Sequence, residues 1–224
     1  MFKLSPSSLS TLKDCPLCFW LAFNKNIEMP GGIFPSLPSG MDSVLKKHFD
    51  SFRERGDVPP ELKGTDAKLF NNMDLLKVWR SNFKGIRWED NKGNVLHGAV
   101  DEILEKDGKL IVLDFKTRGF PCKDDTHEHY RDQMDIYNFL LRKNGYDTED
   151  YAYLLFFHPI RIEADGHFEF ERTLKKIEIN VNNAEKIFKA AIKCLEGPEP
   201  ESGKNCGVCE FVGERGKIWN LILN

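Results

Sequence analysis

Two C-x-x-C pairs, Cys15-Pro16-Leu17-Cys18 and Cys206-Gly207-Val208-Cys209, stand near opposite ends of this 224-residue chain. That spacing lets two thiolates converge on one soft metal, and two pairs together supply the four ligands of a single centre. A shared centre closes a loop around the 187 residues between the pairs, so both ends of the chain must meet. The centre then acts as a clasp. Four thiolates suit either tetrahedral zinc or a cubane iron–sulfur cluster, and the ligand set alone permits both. A redox dithiol is the weaker reading, because neither pair opens a helix after a clear parallel strand. Two unrelated pairs are also the weaker reading: one C-x-x-C is common, whereas two in a chain of six cysteines are not. Cys122 and Cys194 read as ordinary thiols.

The clasp is not required for a core. A chain of this length buries about 70–75% of its unfolded surface, and 41% hydrophobic residues with 17 Phe exclude a mainly disordered polymer. The formal charge of −3 argues against a histone-like or tail-driven polyanion binder, while leaving room for a local basic groove around an acidic site. No apolar run approaches the roughly 18 residues of a membrane helix. The N-terminal stretch MFKLSPSSLSTLKDCP has no apolar signal core, so the expected location is cytoplasmic, with no membrane partner.

Between the clasp segments the period of the apolar residues changes twice. Ser5-Pro6 reads as a capped helix start leading into Cys15 and Phe19-Trp20-Leu21. A Pro- and Gly-rich loop is expected from Met29 to Gly40, followed by an amphipathic helix through Met41, Val44, Leu45, His48, Phe49 and Phe52 that ends near Gly56. Leu69, Met73, Leu76 and Phe83 suggest a second helix. From Ile86 the pattern is that of strands, with turns at Asn91–Asn94 and Lys106–Lys109 separating Val95–Leu104 from the almost wholly apolar Leu110–Phe115. Helix returns over Thr126–Asn144, and Tyr151–Phe157 is another buried strand. Ile160–Glu163 pairs with His167–Arg172, and a last amphipathic helix runs from Ala184 to Leu195. The reading is a single α/β domain over residues 1–224 with a mixed sheet, residues 1–24 and 196–224 forming the clasp.

Chemistry concentrates at Gly98-Ala99-Val100-Asp101 and Asp114-Phe115-Lys116. A buried carboxylate is costly unless paired or bound to a cation. Strand alternation places Asp114 and Lys116 on one face, and Asp101 is expected on the adjacent antiparallel strand. Two such carboxylates suit a divalent ion that activates water, with Lys116 orienting or deprotonating that water. The competing reading is a strand end whose Asp and Lys merely pair.

These motifs, with Thr117 after Lys116 and Gln133-x-x-x-Tyr137 on the following helix, resemble the RecB-like branch of the PD-(D/E)XK nuclease superfamily. The Cys15-Pro16 segment followed by Phe19-Trp20 is similar to the early cysteine segment of members with an iron–sulfur clasp, among them the exonucleases associated with CRISPR adaptation and the AddB-type nucleases. The resemblance implies a restriction-endonuclease-like domain with a central mixed sheet flanked by helices. It implies that Asp101, Asp114 and the Phe115 carbonyl hold Mg2+ or Mn2+, that Lys116 positions the attacking water, and that Gln133 and Tyr137 brace the lysine or meet the nucleic-acid backbone. It implies a [4Fe-4S] cluster on Cys15, Cys18, Cys206 and Cys209, with structural Zn2+ as the alternative. The expected activity is that of a metal-dependent deoxyribonuclease acting on single-stranded DNA or DNA ends, in DNA repair or alongside CRISPR systems, with a helicase or integrase as partner. The rival is a nuclease-like module that binds nucleic acid or a partner without cutting.

Two departures stand out. The cysteines divide two and two, where the resembled members carry one early and three late. Those members also often place a histidine four residues after a glycine in the early helix, whereas Val44 follows Gly40 at that distance and His48 comes one turn later. His48 is either a third metal ligand or a core histidine on the apolar face. Lys116, Arg118, Lys123, Arg131, Arg142 and Lys143 gather near the motifs in sequence, and Phe120 is a candidate base-stacking residue.

Overall fold

In the computed structural model, described for the backbone of residues 1–223 and the side chains of residues 1–217, the chain divides into two compact units. One comprises 1–33, 89–96 and the segment from 185 onward; the other comprises 34–88 and 97–184. The last residue of the expected 196–224 clasp segment lies outside the described residues.

The second unit is built on a five-stranded mixed sheet in the order β2-β5-β6-β7-β8: β2 (Lys68–Leu69), β5 (Glu102–Lys106), β6 (Lys109–Thr117), β7 (Tyr151–Ile162) and β8 (Phe168–Glu178). β5 and β6 are antiparallel, with Glu102 opposite Leu113, joined by a tight turn in which Asp107 and Gly108 take φ of 50° and 78°. Two successive positive φ values match the right-handed twist of the flanking strands, and Asp-Gly is the pair that tolerates them. β6 and β7 are parallel, with Asp114 opposite Leu154. The crossover between them carries a short 3-10 turn (Thr126–Tyr130) and the helix α5 (Arg131–Lys143). Parallel neighbours require such a connection, and its apolar stripe, Met134, Ile136, Phe139, Leu140 and Leu141, is buried.

Alternation along β6 sorts its residues between two faces. Leu113 and Phe115 enter a cluster with Leu45 and Phe49 of helix α3 (Ser36–Arg55), the Phe49 and Phe115 rings lying 5.0 Å apart. Asp114 and Lys116 therefore point to the opposite face, toward α5. α3 begins five residues inside the expected Met29–Gly40 loop and ends at Gly56, whose φ of 73° closes the helix in the left-handed region. The expected helix through Leu69 and Phe83 shrinks to α4 (Met73–Trp79). Leu69 instead pairs with Leu104 in the sheet, and Phe83 is exposed. The separate strands expected on either side of Pro159 are one long ribbon, β7 with β8, interrupted by a bulge between Pro159 and Arg161. Such a bulge accommodates the proline that a regular ladder excludes.

In the first unit, Ser5 caps α1 (Pro6–Asp14) in a reciprocal box with Ser8, and Cys15 caps α2 (Pro16–Asn24). A short strand β1 (Lys3–Leu4) pairs in parallel with Val95 and Leu96 at the start of β4 (Val95–Gly98), the strand that follows β3 (Ile86–Glu89) in the chain. Trp20 donates its indole N–H to the Gly197 carbonyl at 3.2 Å, fastening α2 to the end of α6 (Val181–Glu196). A last helix, α7 (Gly207–Leu223), which the sequence pattern does not announce, starts within the second C-x-x-C pair. Among the described residues, no helix is long and apolar enough to cross a membrane.

Candidate active site and cysteine centre

β5 starts one residue after Asp101, and the strand expected over Val95–Leu104 breaks at Ala99–Asp101. The β5–β6 register nevertheless places Asp101 opposite Asp114, one step past the end of the ladder. Asp101 Oδ2 accepts the Phe115 backbone N–H at 2.9 Å. The N–H and C=O of one strand residue point the same way, so the Phe115 carbonyl faces the Asp101 side too.

Asp114 is 2% exposed and forms an ion pair with Lys116. Burial pushes its carboxyl up to about 7; Lys116 opposes that rise, and Asp101 adds to it. The Lys116 ammonium donates to Gln133 Oε1 at 3.1 Å and lies 4.6 Å from the centre of the Tyr130 ring. The Gln133 amide in turn donates to the Tyr137 hydroxyl at 2.8 Å and lies 3.5 Å from Asp114 Oδ1. Asp114, Lys116, Gln133 and Tyr137 thus form one chain of contacts running from β6 onto α5. The four-residue spacing of Gln133 and Tyr137 is what stacks them on one helical face.

Gly98, four residues before β5, has a steric reason. A Cβ there would stand 2.7 Å from the Tyr137 ring, inside any real contact. The glycine therefore admits the tyrosine that orients Gln133.

α3 contributes two residues that the sequence reading passed over. Lys46 lies 2.7 Å from Asp42 Oδ2 and 3.1 Å from Asp101 Oδ1, joining both carboxylates. Burial opposes the charge of Lys46, but Asp101 and Asp42 outweigh it and hold the ammonium charged. Their helical i, i+4 spacing was visible, but nothing local tied either to Asp101. His48 goes elsewhere: its Nε2 lies 3.1 Å from Glu61 Oε2, with the ring against Phe49 and Phe52. Several of the basic residues near the motifs in sequence are also spoken for. Arg131 pairs with Glu128, Arg142 with Asp150 and the 148–149 carbonyls, and Lys143 sits over Trp88. Phe120 is 78% exposed.

In the first unit, one Sγ from each of Cys15, Cys18, Cys206 and Cys209 lies within 4.8 Å of all the others. The Cys15–Cys209, Cys18–Cys206 and Cys18–Cys209 separations are 3.7, 3.6 and 3.5 Å. Cys15 Sγ also accepts backbone N–H groups from Gly203 at 3.2 Å and Cys18 at 3.4 Å. Burial pushes the Cys15 thiol up, but those N–H donors outweigh it and bring it to about 7, as a thiolate ligand requires. Gly203 is a further residue the sequence did not flag: a Cβ there would meet the Asp14 carbonyl oxygen at 2.1 Å, so no other residue brings its N–H to Cys15 without displacing backbone.

Residues 35–213 match the family description of the PD-(D/E)XK nuclease superfamily. Among curated proteins, no match to the chain is found.

Proposed function

Because the chain belongs to the PD-(D/E)XK nuclease superfamily, we propose that it is a divalent-metal-dependent deoxyribonuclease whose phosphodiester chemistry takes place at Asp101, Asp114 and Lys116. The observation that carries this is the contact chain from Asp114 through Lys116 and Gln133 to Tyr137, with Asp101 opposite Asp114. The donor set fits the cation: two carboxylates and a strand carbonyl are hard oxygen ligands of the kind Mg2+ and Mn2+ take. Buried Asp114, with Asp101 beside it, gains from such a neighbour. Asp101, Asp114 and the Phe115 carbonyl are the assigned ligands. A divalent ion held there supplies charge neutralisation and an acidified water.

The chain's own side chains do the rest. Lys116 holds the attacking water by hydrogen bonding and draws charge from the phosphate as the P–O bond breaks. Gln133 fixes the lysine by accepting one of its N–H bonds, and Tyr137 fixes the amide by accepting from it. The Tyr130 ring lies 4.6 Å from the Lys116 ammonium. The Lys116 ammonium carries three donors, so its contacts to Asp114 and Gln133 leave one N–H for the water. Single strands or DNA ends are the proposed substrates, with exposed Phe120 available for stacking against a base. The RecB-like assignment and any helicase or integrase partner rest on the motif resemblance alone.

For the cysteine centre the spacing supports zinc over the iron–sulfur alternative. Zn–S bonds of about 2.3 Å give a tetrahedron with edges near 3.8 Å. Three of the six separations, 3.5–3.7 Å, match that edge and all lie within 4.8 Å, whereas a cubane spreads its thiolates over four separate iron atoms and sets them wider apart. Metal analysis of purified protein tests this: one zinc per chain and no colour is the expected result, and a brown protein with iron overturns it.

Cleavage of end-labelled single- and double-stranded DNA with Mn2+, comparing the native chain with Asp114→Ala, tests the nuclease reading. Loss of cutting in a folded variant is expected, and equal cutting by both would place the chemistry elsewhere. The displacement of His48 from the carboxylates favours one rival, a module that binds without cutting. DNA retention in the absence of divalent ion, with no cleavage in its presence, would select that rival.

A further inference from the structure

Lys46 is a site-lining cation that the nuclease reading leaves without a role. It rises from α3 and contacts two carboxylates at once, Asp42 at 2.7 Å and Asp101 at 3.1 Å. The other oxygen of Asp42, Oδ1, is buried with no hydrogen-bond partner among the described residues. The other oxygen of Asp101 accepts the Phe115 N–H. Asp42 and Asp101 together are therefore a pair of hard ligands bridged by a tethered ammonium. Many phosphodiester-cleaving sites set two divalent ions about 3.5–4 Å apart and bridge them through a shared carboxylate. Here the position beside the shared carboxylate is filled by a side chain of the protein itself. A lysine ammonium is a compact charge with three donors, which suits it to satisfy two carboxylates where a second ion would otherwise sit.

Resting on the assignment of the first ion to Asp101 and Asp114, we propose that Lys46 stands in for a second divalent cation, so that the site takes one metal ion and Asp42 is committed to the lysine. Lys46 is then a positioning residue: it holds Asp101 in place for the first ion and supplies a fixed positive charge that requires no free metal. Two consequences follow from the geometry. Removing the ammonium frees Asp42 Oδ2 and Asp101 Oδ1, which with the already unpartnered Asp42 Oδ1 creates a second oxygen-rich site. Removing Asp42 as well abolishes that new site and restores a single one.

The test is a Mn2+ titration of the full chain with its cysteine centre loaded, reading free Mn2+ by electron paramagnetic resonance and folding by circular dichroism. The native chain is expected to bind one Mn2+, Lys46→Met two, and Lys46→Met with Asp42→Asn one. The second ion in Lys46→Met should bind at least about tenfold tighter than any additional binding to the native chain, the factor expected when a competing like charge leaves the site. Two ions on the native chain overturn the inference, and so does a single ion on folded Lys46→Met. If Lys46→Met does not fold, the native stoichiometry decides together with Asp42→Asn: one ion on each sustains the inference, and loss of the ion from Asp42→Asn removes it by showing Asp42 to be a ligand of the first. A native chain that binds no Mn2+ removes the metal site itself along with this proposal, which separates failure of the nuclease reading from failure of the role given to Lys46.

Discussion

Asp114 concentrates the cost of the site in one carboxyl group. Burial raises it to about 7 from an ordinary 3.8, against the pull of Lys116 and with the push of Asp101. The folded chain thus holds this proton to near neutrality, while the unfolded chain releases it near pH 4. Stability from the protonated group is complete below pH 4 and is lost as pH rises toward 7. Without added divalent ion, the melting temperature should fall more steeply between pH 5 and 8 in the native chain than in Asp114→Asn. The difference corresponds to a few kcal/mol, and parallel slopes would contradict the assignment. On the proposed roles, in which the lysine handles the water and the carboxylates hold the ion, Lys116→Met should lower cleavage by about 10²–10⁴ while leaving Mn2+ binding in place. Gly98→Ala, by pressing on the Tyr137 ring, should destabilise the fold by about 1–3 kcal/mol and lower cleavage through Gln133, and unchanged urea midpoint and rate would show that the ring has room to move. At this scale the D-x-K pattern was fully legible, since strand alternation alone puts both side chains on one face. The competition for His48 was not, because Glu61 is thirteen residues away and no local pattern pairs them.

The elements are held at the site by a buried ionic knot that joins α3 and the end of α4 to the start of β5. Glu102 is fully buried and takes Arg53 from α3 on one oxygen and Arg80, just past α4, on the other; Arg80 also reaches Asp50. Arg80 donates in addition to the Asp101 carbonyl at 2.9 Å, so the knot fixes the backbone that presents the Asp101 side chain. Burial raises the Glu102 carboxyl, and the two arginines oppose that rise. Glu102→Gln leaves two buried guanidinium groups short of charge, and should cost about 3–5 kcal/mol by chemical denaturation. A loss below 1 kcal/mol would mean that solvent reaches the knot. The periodic helices and the apolar β6 were readable from pattern alone, since each presents a long run in its own period. The two-residue β2 was not, because Leu69 has no strand pattern of its own and takes its conformation from Leu104 across the ladder.

For the molecule as a whole, the cysteine centre ties residues at positions 15 and 18 to residues at 206 and 209 within one compact unit. Cys206→Ser should release the bound metal and lower the melting temperature of that unit's unfolding, and an unchanged melt after metal loss would reduce the centre to an ornament of the fold. The chain by itself determined the two C-x-x-C pairs, the long amphipathic helices and the apolar D-x-K strand end, because each follows from spacing along a polymer with fixed periods. Only the tertiary structure decided which charges meet. It set Lys46 between Asp42 and Asp101, turned His48 to Glu61, and took Arg131, Arg142 and Lys143 into other pairs. It also drew the four cysteine Sγ atoms to within 4.8 Å of one another. The physical reason is range. Periodicity and capping act over a few residues and are written locally, whereas ion pairing and metal geometry depend on distances across the fold that no window of sequence contains.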